Sequence, residues 1–133
     1  MTTALFDNGK KHIRVIVAGG RDFNNYTLLS NTLDAVLERY TLPEVSIVSG
    51  CCRGADSLGE RYAKEHGIPV VRFPADWLAY GKAAGPIRNR KMAEFASQGE
   101  GALVAFWNGE SRGTASMIRL AEKYGLQIKT ITY

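Results

Sequence analysis

The sequence predicts an α/β fold in which helices cover both faces of a mainly parallel five-stranded sheet. Two observations lead to this prediction. Short apolar segments rich in β-branched residues alternate along the chain with longer segments of helical periodicity, the order expected when strands pair in parallel through helical crossovers. Most of the short segments are continuously apolar, which is typical of strands buried on both faces. We therefore expect a Rossmann-like three-layer sandwich.

Five segments have the length and composition of strands. Each is rich in valine, isoleucine or other apolar residues and is flanked by glycine, proline or polar residues that favour turns. In chain order they are IRVIVA (13–18), VSIVS (45–49), PVVRF (69–73), ALVAF (102–106) and QIKTI (127–131).

Four segments between the strands have helical periodicity. In the first of them Leu29, Leu33, Val36 and Leu37 fall on one stripe, as expected for a helix with one buried face. The four predicted helices cover residues 26–40, 55–66, 86–96 and 115–124. Pro86 suits the first position of its helix, where an N–H group is not needed.

Composition predicts one soluble domain. The chain has 133 residues, of which 45% are hydrophobic and 23% charged, which is ordinary for a globular domain. We assign residues 13–133 to this domain and expect the polar residues 1–12 to form a flexible tail. A membrane span or secretory signal is not predicted, because the sequence lacks a long apolar run. We therefore predict a cytoplasmic protein without a membrane partner.

Cysteine and histidine do not form a metal-binding pattern. The only cysteines are Cys51 and Cys52, and the only histidines are His12 and His66. This spacing matches no zinc motif, and adjacent cysteines rarely pair with each other. We predict no metal and no cofactor. Cys52 is either a reactive thiol near a helix start or a small loop residue, and the roles of both cysteines stay open.

Glycine and arginine recur in the loops that follow the first four strands. These loops read GGRDF, SGCCRGAD, PADWLAYGKAAGPIRNR and WNGESRGT. Because ligands of open parallel sheets bind at the carboxyl ends of the strands, we expect the loops to form one site. The net charge of +4 permits an anionic partner, and glycines with helix N-termini admit and bind anions. The arginines expected at this edge are Arg21, Arg53, Arg88, Arg90 and Arg112.

Each loop also has a purely structural interpretation. The glycines can serve turns alone, Asp56 can be a favourable charge in the first turn of a helix, and Arg90 can belong to a solvated helix face. Neither the dinucleotide fingerprint G-x-G-x-x-G nor the P-loop motif occurs. Recognition of phosphate would therefore depend on arginines and several helix ends.

Taken in order, these motifs resemble the SLOG superfamily, and within it the small YspA-type members. The segment SGCCRGADSLGERYAKEHGIPV resembles the SGxARGID stretch of the DprA family, GPIRNRKMAEFAS its PxRNR segment and SRGTASMIRLAEKYG its SGTxxTAxxAxxxGR segment. The resemblance extends over about residues 13–131. It implies a Rossmann-like fold with a nucleotide or nucleic-acid contact edge.

The LOG nucleoside-phosphate hydrolases of the same superfamily offer a second comparison. RNRKM resembles their R-K-x-x-M motif, so Arg88 and Met92 match while Asn89 replaces the lysine. ESRGTASM resembles P-G-G-x-G-T-x-x-E, which implies a phosphate-binding turn at Gly113 and Thr114. Met117 stands where that family has its catalytic glutamate, and cleavage of an N-glycosidic bond generally needs a carboxylate.

Three hypotheses follow for function. The first is binding of a nucleotide or an ADP-ribose-type phosphate ligand at the carboxyl edge of the sheet. The second is a nucleoside-monophosphate phosphoribohydrolase or N-glycosidase, for which the catalytic candidates are Asp22, Asp56 and Arg88. The third is DprA-like binding of single-stranded DNA. The oligomeric state stays open: a homo-oligomer could form through the helices, and the aromatic residues in DWLAY and FWNG could line either a dimer contact or a pocket.

Specific roles can be assigned to the loop residues under the first hypothesis. Arg21, Arg53 and Arg88 would pair with phosphate, Asp22 or Asp56 would accept hydrogen bonds from ribose, and aromatic rings would stack on the base. The candidate stacking residues are Trp77, Tyr80 and Trp107, of which the two tryptophans can equally be core or interface residues. The predicted ligand-binding residues are Gly19, Gly20, Arg21, Asp22, Ser49, Gly50, Arg53, Gly54, Asp56, Gly85, Arg88, Asn89, Gly113 and Thr114.

Overall fold

A computed structural model describes residues 12–133 and contains a single five-stranded sheet in this range. The strands are β1 (Ile13–Gly19), β2 (Val45–Ser49), β3 (Val70–Arg72), β4 (Glu100–Trp107) and β5 (Gln127–Thr132). Their order is β3-β2-β1-β4-β5, and every neighbouring pair is parallel. The predicted sheet is confirmed, and it is entirely rather than mainly parallel.

Helices cover both faces of the sheet and complete the three layers. They are α1 (Tyr26–Leu37), α2 (Ala55–His66), α3 (Trp77–Tyr80), α4 (Ala84–Ala96) and α5 (Arg112–Lys123). One face of the sheet packs on α1 and α2, and the other packs on α4 and α5. Alternate residues of β1 enter the two cores: Val15 and Val17 face the first, and Ile16 and Ala18 face the second. The continuously apolar strands are thus explained by burial on both faces.

Several helix ends differ from the predicted ones. α1 ends at Leu37, since Tyr40 turns back to donate its N–H to the carbonyl of Leu37 at 2.9 Å. α5 begins three residues earlier than predicted because Ser111 caps it and accepts a hydrogen bond from the N–H of Thr114. α4 begins at Ala84 rather than Pro86.

A short helix and a 3-10 turn occupy part of the loop predicted after the third strand. The carboxylate of Asp76 accepts the N–H of Ala79 at 3.0 Å and so starts α3. A 3-10 turn at Gly81–Ala83 then connects α3 to α4. The sequence alone did not predict this element, because four residues are too few to establish a helical period.

The expected flexible tail falls almost wholly on residues 1–11, which lie outside the described residues. His12 is the first described residue, and its Nε2 lies 3.0 Å from the hydroxyl oxygen of Ser46. Over residues 12–133, none of the helices combines the length and apolar character that crossing a bilayer requires.

The order of the strands creates a crevice at one edge of the sheet. The chain proceeds from β1 through β2 to β3 on one side and returns to β4 and β5 on the other. The loops after β1 and β4 therefore diverge to opposite faces of the sheet. In sheets of this kind the crevice at the carboxyl ends, where the order reverses, is the usual place for a ligand.

Candidate functional site

A cleft of about 500 Å³ opens at this reversal point. Its walls come from the loops after β1, β2 and β4, together with the middle of α4 and the N-terminal half of α5. The lining residues are Ala18, Gly19, Gly20, Arg21, Asp22, Cys52, Arg53, Asp56, Arg88, Asn89, Met92, Asn108, Ser111, Gly113, Thr114 and Met117. Its volume lies within the usual range for small-molecule sites.

The two glycines at the end of β1 and just after it allow the strands and loops to pack tightly beneath the cleft. A Cβ atom on Gly19 would lie 2.4 Å from the carbonyl oxygen of Phe106 in the neighbouring strand. The N–H of Gly20 donates to that same carbonyl at 3.1 Å, and the carbonyl of Gly20 accepts the N–H of Ala55 at 3.2 Å. These glycines therefore have a structural role in addition to the access they give to the cleft.

Gly54 joins the first two loops at the start of α2. Its φ is +80°, and a Cβ atom would lie 2.2 Å from the carbonyl oxygen of Gly20. Since side chains are unfavourable at such a φ, both space and conformation require glycine here. Glycine here leaves room for the hydrogen bond from Ala55 to Gly20, which joins the loop that carries Arg21 to the loop that carries Arg53.

Arg88 extends from α4 into the cleft and is held by polar contacts along its guanidinium group. Its Nη1 donates to the carbonyl of Gly50 at 2.5 Å and lies 3.7 Å from the sulfur of Cys52. Its Nε donates to Oδ1 of Asn89 at 2.9 Å. A Cβ atom on Gly50 would lie 2.8 Å from Nη1 of Arg88. The absence of that atom lets the guanidinium lie against the β2 loop.

Asp56 is the buried carboxylate of the cleft. Its side chain belongs to the first turn of α2, the residue is 6% exposed, and Oδ2 accepts the N–H of Cys52 at 3.1 Å. Burial raises the pKa of Asp56 to about 6, although the Cys52 N–H and the charge of Arg88 act in the opposite direction. The carboxyl group therefore changes its protonation state near pH 6 rather than near pH 4.

The start of α5 forms the opposite wall. Oδ1 of Asn108 accepts the N–H groups of Glu110 and Ser111 at 2.8 and 2.9 Å, which fixes the turn after β4. The indole N–H of Trp107 donates to the carbonyl of Ser111 at 3.1 Å. Asn89 donates from Nδ2 to the carbonyl of Gly113 at 3.4 Å and connects this wall to α4. The first turn of α5 is thus held facing the cleft, and its leading N–H groups lack intrahelical acceptors.

Asp22 lies at the rim, where Tyr133 holds it. The hydroxyl of Tyr133 donates to Oδ1 of Asp22 at 2.6 Å, and its ring packs edge-on against Phe23. Burial and this hydrogen bond raise the pKa of Tyr133 to about 12. One oxygen of Asp22 is therefore engaged by the protein.

The structure brings most of the predicted ligand-binding residues together. Four of them lie outside the lining of the cleft: Ser49, Gly50, Gly54 and Gly85. Ser49 donates to Glu60 at 2.6 Å, and Gly50 and Gly54 support the site from behind as described above. Arg21 and Arg53 line the cleft with exposed side chains, whereas Arg90 and Arg112 are exposed and do not line it.

The three candidate stacking residues also lie outside the lining of the cleft. Trp77 and Tyr80 belong to α3 and are 51% and 48% exposed. Trp107 ends β4, where its indole N–H fixes the following turn. The proposed stacking in the cleft is therefore not supported by their positions. Trp77 and Tyr80 lie away from the cleft because they belong to α3. The indole of Trp107 is engaged by its hydrogen bond to the carbonyl of Ser111.

Cys52, Asn108 and Ser111 also line the cleft, although the sequence did not single them out as ligand-binding residues. Asn and Ser shortly after a predicted strand are turn and N-cap signals, and these signals could have identified Asn108 and Ser111. Cys51 is exposed and outside the lining, with a φ of +67°. Residues 12–133 contain no group of three or more histidine, cysteine or acidic side chains that could hold a metal ion.

Comparisons with known proteins place the chain in a family. It is 33% identical over 120 residues to the Gene 61 protein of Mycobacterium phage D29, an alignment that covers 86% of this chain and 93% of that protein. Residues 13–80, about half of the chain, match the family YAcAr, described as YspA, cpYpsA-related SLOG family.

Two solved structures share the fold. The DNA processing protein A (DprA) of Streptococcus pneumoniae superposes with a TM-score of 0.70 at 17% identity, over 93% of this chain and 51% of that one. The DprA of Helicobacter pylori gives 0.64 at 18% identity, over 92% of this chain and 66% of that one. This chain thus spans about half the length of the S. pneumoniae protein and about two thirds of the length of the H. pylori protein. On its sequence match over residues 13–80, the chain belongs to the YspA, cpYpsA-related SLOG family.

Proposed function

We propose that the cleft binds a nucleotide or a nucleotide-derived phosphate ligand of the ADP-ribose type. The observation that carries this proposal is that Arg88 is held in the cleft without a carboxylate partner. Its guanidinium is fixed in the cleft by uncharged partners, and within residues 12–133 it forms no ion pair with a carboxylate. A positioned arginine of this kind is suited to bind phosphate.

Other groups in the cleft fit the same ligand. The N–H group of Gly113, which lines the cleft, lies in the first turn of α5, where the helix dipole also favours an anion. Arg21 and Arg53 stand at the rim, where they can attract and contact phosphate. Asp22 and Asp56 offer carboxylate oxygens to the ribose hydroxyls.

Known proteins support the general class of ligand. The H. pylori DprA, which shares the fold, has a described mode of binding single-stranded DNA. We favour a small nucleotide for this chain, because the volume of about 500 Å³ suits a single small molecule.

A thermal-shift titration with AMP and ADP-ribose tests the proposal. A ligand at 100 times its Kd should stabilise the fold by about 2.7 kcal/mol and raise Tm on the order of 8 °C. Arg88→Ala should lose this shift, whereas Arg90→Ala, an exposed arginine of the same helix, should keep it. The proposal fails if neither compound shifts Tm, or if Arg88→Ala responds like the unmodified protein.

Single-stranded DNA provides the contrasting ligand in the same titration. Binding that depends on several phosphates weakens steeply as salt rises. An oligonucleotide that binds more tightly than both small nucleotides, with a steep salt dependence, would support the DNA-binding hypothesis in place of ours.

Hydrolysis of the N-glycosidic bond of a nucleotide is a second candidate function. The raised pKa of Asp56, which lines the cleft, favours it. A carboxyl group with a pKa of about 6 in the cleft can act as an acid or base near neutral pH. Met117, at the position of the LOG glutamate, is 1% exposed and offers no such group. Release of free adenine from AMP, lost in Asp56→Asn while AMP still binds, would establish the activity. Binding without base release rules it out.

A further inference from the structure

A second cavity of about 310 Å³ lies beside the cleft, between the loop after β3 and the helix α4. We call it the outer cavity. Its walls include Phe73, Pro74, Tyr80, Ile87 and Lys91, and Arg88 lines both the outer cavity and the cleft. The two cavities therefore share one residue, Arg88.

The outer cavity has the chemistry of a base-binding pocket. Phe73, Pro74 and Ile87 provide apolar walls, and the ring of Tyr80 is about half exposed. Stacking on such a ring together with nearby cations is how proteins hold unpaired bases without reading their sequence. Lys91 adds a positive charge next to Arg88.

The charged groups that line the outer cavity are mostly engaged with the protein. Asp76 accepts the N–H of Ala79 and caps α3. Arg72 pairs with Glu60 at 3.0 Å. Arg88 and Lys91 form no ion pair within the described residues, so the balance of charge in this cavity favours an anionic ligand.

Core packing does not explain the exposed position of α3. Trp77 is half exposed, with its ring edge near Gly85, and Leu78 is fully exposed. The cap at Asp76 starts the helix, and Gly81, with a φ of +54°, ends it. This short, capped helix places Tyr80, which is about half exposed, in the lining of the outer cavity.

We propose that the outer cavity is a second base subsite and that the ligand is a small dinucleotide. One nucleoside would occupy the cleft, the other would stack on Tyr80, and the phosphate that joins them would lie at Arg88. This inference rests on the proposed function and adds to it that the ligand has two nucleoside halves.

Calorimetric titration separates this inference from the proposed function. The probes are AMP and a linear dinucleotide of two adenosines joined by one phosphodiester and carrying a 5′ phosphate. We expect the dinucleotide to bind more tightly than AMP. Tyr80→Ala should weaken dinucleotide binding roughly 5- to 100-fold through lost stacking and leave AMP binding unchanged.

Two variants serve as matched controls. Tyr80→Phe keeps the ring and should keep most of the affinity for the dinucleotide. Leu78→Ala changes the same short helix at a position that does not line the outer cavity, so it should bind both probes like the unmodified protein. A loss in Leu78→Ala equal to that in Tyr80→Ala would mean that helix integrity, not stacking, matters, and would overturn the proposal.

The remaining outcomes each decide a separate point. If AMP binds but the dinucleotide binds no better, the second subsite is refuted and the proposed function stands. If neither binds, the proposed function also fails. If affinity continues to rise from the dinucleotide to an eight-nucleotide strand, a nucleic-acid strand occupies the surface and the small-dinucleotide proposal is wrong.

Discussion

Asp56 gives the sharpest physical prediction, because its charge opposes folding. The folded pKa is about 6, compared with an ordinary value of 3.8, and the largest cause is burial. A group whose pKa is raised on folding contributes stability below its unfolded pKa and loses that contribution as the pH rises through the folded pKa. Ionisation of Asp56 should therefore lower the free energy of unfolding between about pH 4 and pH 6.

The size of this effect follows from the two pKa values. A shift from 3.8 to about 6 corresponds to about 3 kcal/mol of lost stability when the carboxylate is fully ionised. Asp56→Asn removes the charge, and its amide oxygen can still accept the N–H of Cys52. The variant should therefore be more stable than the unmodified protein at pH 7, with a difference that nearly vanishes well below pH 4.

Urea unfolding of both proteins at intervals from pH 4.5 to 7.5 measures this difference. Other carboxylates titrate in the same range but are common to both proteins, so the difference isolates Asp56. We expect the difference to grow by about 2 kcal/mol between pH 4.5 and 7. A difference that stays constant with pH, or an Asp56→Asn protein that is less stable at pH 7, would refute the reasoning.

Three further substitutions test the packing around the cleft and the core. Gly54→Ala places a Cβ atom 2.2 Å from the carbonyl oxygen of Gly20, at a φ of +80°. Because both the clash and the backbone conformation are strained, we expect the free energy of unfolding to fall by at least about 1–3 kcal/mol. An unchanged Tm would contradict this expectation. Ser111→Ala removes the cap on the Thr114 N–H and should cost about 1 kcal/mol in urea unfolding; no loss would show that the cap is dispensable. Leu33→Ala truncates a fully buried side chain of α1 and should cost roughly 2–5 kcal/mol, whereas a smaller loss would show that the core collapses around the gap.

The order and type of the main elements were accessible from the sequence because they depend on local patterns. The mainly apolar runs at 13–18 and 45–49 match strands buried on both faces, and the stripe through Leu29 and Leu33 matches the buried face of α1. The loops that carry Arg21, Arg53 and Arg88 could be placed at one edge because parallel strands end on the same side. Element ends were less accurate, since caps such as Ser111 compete with periodicity over only a few residues.

The tertiary structure decided which of the residues at the sheet edge face the cleft and which of them have a shifted pKa. Periodicity places Arg88 and Arg90 on the same helix, but only packing against the β2 loop brings Arg88 to Gly50 and leaves Arg90 in solvent. The raised pKa of Asp56 has the same origin, because burial depends on every element around a residue. The sequence by itself determined the fold class and the edge that carries the candidate site. The long-range contacts of the fold determined the raised pKa of Asp56, the position of Arg88 and the separation of Tyr80 from the cleft, because these depend on neighbours that are distant along the chain.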